Sequence, residues 1–87
     1  MIIKNMRKAK NPDFKTKAFF DIVTKNFIIH NCRLVLAGTG RLIVMLPYQE
    51  YMSNGRKVFE PVIEFLDVDY IEAVTQDAII AFEKVGK

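Results

Sequence analysis

The sequence predicts an α+β fold: an antiparallel β-meander of four to five strands, followed by one C-terminal α-helix packed on the sheet. Three observations predict it. Lys15–Thr24 alternates with a period of two, which is the signature of a strand. Phe27–Leu36 and Arg41–Leu46 are hydrophobic runs joined by Gly38-Thr39-Gly40, and two glycines around one threonine supply the backbone freedom of a tight reversal. Toward the C-terminus the apolar spacing changes to steps of three and four at Ile71, Val74, Ala78, Ala81 and Val85, which is a helical stripe.

Each element has a local reason. Ile2–Lys8 alternates loosely and serves as a first strand. Lys10-Asn11-Pro12-Asp13 is a turn, because Pro fixes φ while Asn and Asp tolerate turn geometry. In the second strand Thr16, Ala18, Phe20, Ile22 and Thr24 fall on one side, and Lys15, Lys17, Phe19, Asp21 and Val23 on the other. Lys25-Asn26 is a two-residue reversal, since Asn accepts positive φ. Pro47 stops the fourth strand because it cannot donate to a ladder. Tyr48–Lys57 is expected as a polar loop containing the turn Ser53-Asn54-Gly55, and Val58-Phe59-Glu60-Pro61 as no more than a short strand. Asp67 or Asp69 can cap the helix, Asp69 with Glu72 in the spacing of a capping box. Gly86 is placed to end it.

Eighty-seven residues make a single domain with one core. The chain is 51% hydrophobic and 26% charged, with seven Phe and three Tyr, which favours a folded chain over a disordered one. No apolar run approaches the roughly 18 residues of a membrane span. Met1–Lys10 has no long apolar stretch, so no signal peptide is expected. A single cysteine forms no internal disulfide and has no cluster of metal ligands around it. A reducing cytoplasm is the expected location, with neither metal nor cofactor and no small-molecule substrate in view.

The net charge of +3 conceals a division. Met1–Lys57 holds eleven Lys and Arg against three Asp and Glu, while Val58–Lys87 holds two against seven. Such polarity favours an acidic partner for the N-terminal part, or an acidic tail docked on its own basic sheet. The sheet itself is expected to be apolar on both faces. With Ile28, His30, Cys32, Leu34, Leu42, Val44 and Leu46 inward, Ile29, Val35, Ile43, Met45, Phe19 and Val23 point outward. A face that greasy is expected to be covered by a second subunit, most simply in a twofold homodimer.

Nucleic acid is one polyanion that this charge pattern would attract, though composition alone does not establish it. Arg33 and Arg41 flank the hairpin turn, Lys15 and Lys17 share the outward parity, Arg7 is expected to join them from the first strand, and Arg56 and Lys57 follow the Asn54-Gly55 turn. About five such cations would attract phosphates through counterion release. Phe19, Phe27, Tyr48 and Tyr51 are interleaved and can stack on unpaired bases. The plainer alternative is solvated cations above core aromatics. His30 could be a base or a ligand beside Cys32, but two ligands are not a zinc site and no acidic partner is evident. The expectation is therefore a buried, hydrogen-bonded histidine beside a buried, inert thiol. Asp67, Asp69, Glu72 and Asp77 crowd the helix start, where the macrodipole favours negative charge without any catalysis. Gly38-Thr39-Gly40 is no phosphate loop, because it does not lie between a strand and a helix. No constellation supports an enzyme.

The stretch Phe27-Ile28-Ile29-His30-Asn31-Cys32-Arg33-Leu34, the Gly turn and Val44-Met45-Leu46-Pro47 together resemble the SpoVG (stage V sporulation protein G, septation regulator) family. The likeness is close from Ala18 to Pro47 and looser beyond, where Asn54-Gly55 looks like the family's Asp-Gly turn and Pro61 like the proline before its helix. It implies a dimeric, non-enzymatic regulator of gene expression, septation or sporulation-type processes that binds DNA or RNA. Family members carry a basic loop after Met-Pro and a basic helix start. Here Tyr48–Gly55 has lost those basic residues, and the helix begins Asp67-Val68-Asp69-Tyr70. Either binding has moved to Arg33, Arg41, Arg56 and Lys57, supported by Lys15 and Lys17, or the chain is a protein-interaction module that never contacts nucleic acid.

Overall fold

A computed structural model describes residues 2–10 and 15–85. The expected turn at Asn11-Pro12-Asp13 and the helix stop at Gly86 lie outside the described residues. Four strands form an antiparallel meander in the order of the chain: β1 (Ile2–Lys8), β2 (Thr16–Val23), β3 (Ile28–Leu36) and β4 (Leu42–Met45). A second, two-stranded sheet follows from β5 (Tyr48–Ser53) and β6 (Arg56–Pro61), and the described chain ends in helix α1 (Val68–Val85). The α+β class is as the sequence predicts.

The second hairpin corrects one expectation. Tyr48–Lys57 is not a loop: Tyr48 to Ser53 pair residue for residue with Pro61 to Arg56. Asn54 and Gly55 both have positive φ, 53° and 76°, as a two-residue hairpin turn of the primed type requires. Elsewhere the turns close as their residues dictate. Gly40, at φ 86°, donates to the Ala37 carbonyl at 2.9 Å between β3 and β4. Thr24 and Phe27 bracket the Lys25-Asn26 reversal, with Thr24 N–H donating to Phe27 O at 2.8 Å. Asn26 does not use positive φ there; the Thr24 hydroxyl accepts from the Asn26 and Phe27 amides and so stabilises the turn.

The core lies between one face of the meander and α1. Ala18, Phe20, Ile22, Ile29, Cys32 and Leu34 are buried on the sheet side, with Val74 and Ala78 facing them from the helix. Asp67 caps the helix, its Oδ1 accepting from the Asp69 amide at 2.9 Å. The buried stripe runs Tyr70, Val74, Ala78 and Phe82, rotated from the expected one: Ile71 and Val85 are exposed. The rotation brings the two helix aromatics and Ile79 onto the core and leaves Ile71, Ile80 and Val85 exposed.

Strict alternation fails at three places in the meander. Asn5 and Met6 together oppose Phe20; His30 and Asn31 together oppose Asp21; Lys17 is an extra residue between Thr16 and Ala18. Each is a bulge, which re-phases the strand beyond it. Asn5 and Asn31 stand in the left-handed region at φ 57° and 61°, a conformation Asn accepts more readily than other side-chain-bearing residues. The consequence for β3 contradicts the expected facing. Ile29 is 6% exposed and faces the helix, whereas Ile28 is 52% exposed and His30 points away from the core.

Candidate nucleic-acid interface

The register places Arg7, Phe19, Arg33 and Met45 directly opposite one another across all four strands, on the face away from α1. Arg33 is clamped there. Its guanidinium lies 5.7 Å from the Phe19 ring centroid and 5.3 Å from that of Tyr48, and Nη1 donates to the Tyr48 hydroxyl at 3.3 Å. Tyr48 in turn meets Phe59 edge-on at 5.4 Å. One line of cation and aromatic groups therefore runs from the meander onto the second hairpin, which is a stacking arrangement with an arginine built into it.

The other sequence-predicted cations fall into two groups. Lys15 and Arg41 meet the same end of the meander: Leu36 N–H donates to Lys15 O at 2.8 Å, and Ala37 N–H to Arg41 O at 2.8 Å. Both residues are exposed. Lys17 lies on the bulge beside them, half-buried and engaged with a partner, so the shared parity expected for Lys15, Lys17 and Phe19 is broken. Arg56 and Lys57 sit at the tip of the second hairpin. Lys57 is paired with Glu50 at 2.8 Å, and that hydrogen bond and charge raise its ammonium above the ordinary lysine value. Arg33, Arg41, Arg56, Lys57, Lys15 and Lys17 thus do not form one patch. Arg33 organises the aromatic line, Lys15 and Arg41 mark one end of the sheet, and Arg56 and Lys57 mark the hairpin tip.

Next to Arg7 is a cluster that the sequence did not disclose. Asp21, only 5% exposed, stands on the face away from the helix in the central part of β2. Its Oδ2 accepts from Asn5 Nδ2 at 2.8 Å and lies 3.2 Å from His30 Nδ1; its Oδ1 accepts from the Asn31 amide at 3.1 Å. Arg7 bridges the two bulges, donating from Nη1 to Asn5 O at 2.7 Å and from Nη2 to Asn31 Oδ1 at 3.1 Å. The bond from Asn5 holds the Asp21 carboxyl below its ordinary value against the opposing effect of burial, with Asn31 and His30 adding to the lowering.

His30 is consequently not the buried histidine expected. Its side chain is 67% exposed, and it does not share a side with Cys32, which is fully buried. Burial, assisted by the Asp21 charge, pushes the Cys32 thiol up to about 11, leaving it inert. The missing acidic partner of His30 is Asp21, nine residues earlier and brought alongside only by strand pairing. Only residue type was open to view: Asn5 and Asn31 tolerate the left-handed backbone of a bulge, but that each flanks Asp21 from a neighbouring strand exists only once the sheet is paired.

Neither a family model, nor a curated protein, nor a solved structure matches this chain. No helix among the described residues is long and apolar enough to cross a membrane. Among them, no group of three or more His, Cys, Asp or Glu is placed to hold a metal ion.

Proposed function

We propose that this chain is a SpoVG-like, non-enzymatic regulator of the cytoplasm that binds DNA or RNA as a homodimer. The observation that supports the reading best is the line Arg7, Phe19 and Arg33 across the meander, which offers two guanidinium groups flanking an aromatic ring to an extended polyanion. Lys15 and Arg41 extend the positive field at one end of the sheet, and Arg56 at the hairpin tip. The acidic helix packs on the opposite face, so its carboxylates do not confront a strand laid on this one. Pairing of protomers is favoured by what the fold leaves uncovered at the β4 side. Ile43 and Met45 are exposed, and beside them lies an apolar groove of about 810 Å³ that includes Phe59, Phe65 and a Leu66 that is 92% exposed.

Binding of mixed-sequence oligonucleotides titrated with salt tests the reading. Affinity should fall with a log–log slope of roughly −4 if about five phosphates are neutralised, and an Arg41/Lys15 double variant should flatten it by about 1 to 2. A curve flat in salt would refute it. The same apolar groove favours a second reading, a protein-interaction module without nucleic acid. That reading gains if sedimentation shows a homodimer and no oligonucleotide is retained at low salt.

A further inference from the structure

The Asp21 cluster asks for a ligand. A carboxylate on the outer face of a sheet is costly to bury, and it is retained here with three donors around it. Two neighbouring strands each break their ladder with a left-handed Asn to deliver those donors. Backbone strain of that kind, gathered around one polar group, is a mark of functional sites. What the arrangement holds in place is a pair of outward groups, the His30 imidazole and the Arg7 guanidinium.

The chemistry of each group is set by its tether. An ionised carboxylate only accepts, so Asp21 requires the proton on His30 Nδ1 and turns Nε2 toward solvent. In the neutral ring Nε2 is then an acceptor; in the charged ring it is a donor. A hydroxyl serves either state, because it both donates and accepts. Arg7 commits two N–H groups to Asn5 and Asn31 and has others left for an anion. A hydroxyl beside a phosphate, presented next to the Phe19 ring and the Arg33 guanidinium on which a base can stack, describes a ribonucleotide rather than a deoxyribonucleotide. Lys4, opposite Asp21 on β1, adds charge of the sign a phosphate needs.

We propose that Arg7 and His30, positioned by Asp21, Asn5 and Asn31, form a ribose-reading point, Arg7 engaging a phosphate and His30 Nε2 the 2′-hydroxyl, so that this face selects single-stranded RNA over DNA. The inference rests on the nucleic-acid reading above and narrows it to one polymer.

The test compares a single-stranded RNA with the DNA of the same sequence, using the full chain and two exposed-residue variants. Wild type should bind the RNA about fivefold or more tightly than the DNA, the size of one net hydrogen bond. His30→Ala should bring RNA down to the DNA level and leave DNA unchanged, whereas Arg7→Gln should weaken both alike. Circular dichroism of the variants establishes that each is folded. Equal affinity of wild type for the two strands, or an RNA preference that survives His30→Ala, would overturn the inference while leaving nucleic-acid binding intact. Retention of neither strand would overturn both.

Discussion

Asn31 offers the sharpest test of the register that places the site. It sits at φ 61°, where an L-residue pays roughly 1–2 kcal/mol, most for a β-branched side chain and least for Asn or Gly. Its amide bond to Asp21 is made by the backbone and survives substitution; its Oδ1 bond from Arg7 at 3.1 Å does not, and is worth about 0.5 kcal/mol at an exposed position. Asn31→Val should therefore cost about 2.5 kcal/mol. Asn31→Gly loses the same Arg7 bond and about 0.5 kcal/mol of chain entropy, near 1 kcal/mol in all. Urea unfolding followed by circular dichroism reads the difference. With a slope of about 1 kcal/mol per molar for a small domain, the two midpoints should be separated by about 1.5 M, Gly the higher. A valine variant as stable as the glycine variant would mean that β3 does not carry its bulge at Asn31, and the placement of His30 would fall with it.

Three further outcomes follow from the same fold. The folded-state carboxyl of Asp21 titrates below its unfolded value, so its contribution to stability is present above about pH 4 and is lost as pH falls through the folded value; Asp21→Asn should flatten that acid limb in pH-dependent denaturation. Cys32, fully buried with its thiol pushed up to about 11, should resist iodoacetamide at pH 8 in the native protein and react promptly in denaturant; equal rates would show that β3 opens to solvent. Asp67→Ala should cost about 1 kcal/mol as the loss of a cap, while Asp69→Ala, which leaves that bond in place, should cost only about 0.3 kcal/mol in thermal or urea melts.

Much of the architecture was legible because its signals are local. Period-two alternation in Lys15–Thr24, the Gly-containing turn before Arg41 and the three-and-four spacing after Tyr70 each report on one element without reference to another. The hairpin of β5 and β6 was half legible: Asn54-Gly55 announced its turn, but Gln49, Glu50 and Ser53 are exposed and give no apolar alternation to mark a strand. The Asp21 cluster was illegible for a different reason. Phe27-Ile28-Ile29 is apolar at every position, so hydrophobic pattern does not choose which isoleucine faces the helix. That choice is made by Asn31, and its effect on His30 exists only once β2 and β3 are paired. Arg33 was legible as an outward cation, but not as the centre of an aromatic clamp, because Tyr48 reaches it only from the second hairpin.

The end of the meander beyond the two asparagine bulges has a consequence for how the protein reaches its native state. There Ile3, Ile22 and Ile29 form a row on one side and Ile2, Val23 and Ile28 a row on the other, so exchanging the sides swaps one set of aliphatics for another. A nascent sheet zipped one step out of phase at that end would bury nearly as much oil as the correct one and would gain little by unzipping. What it would lack is a home for the Asp21 charge. Proofreading of the zipper thus falls to Asp21 and the two asparagines that meet it, and the chain replaces a weak hydrophobic choice with a polar one.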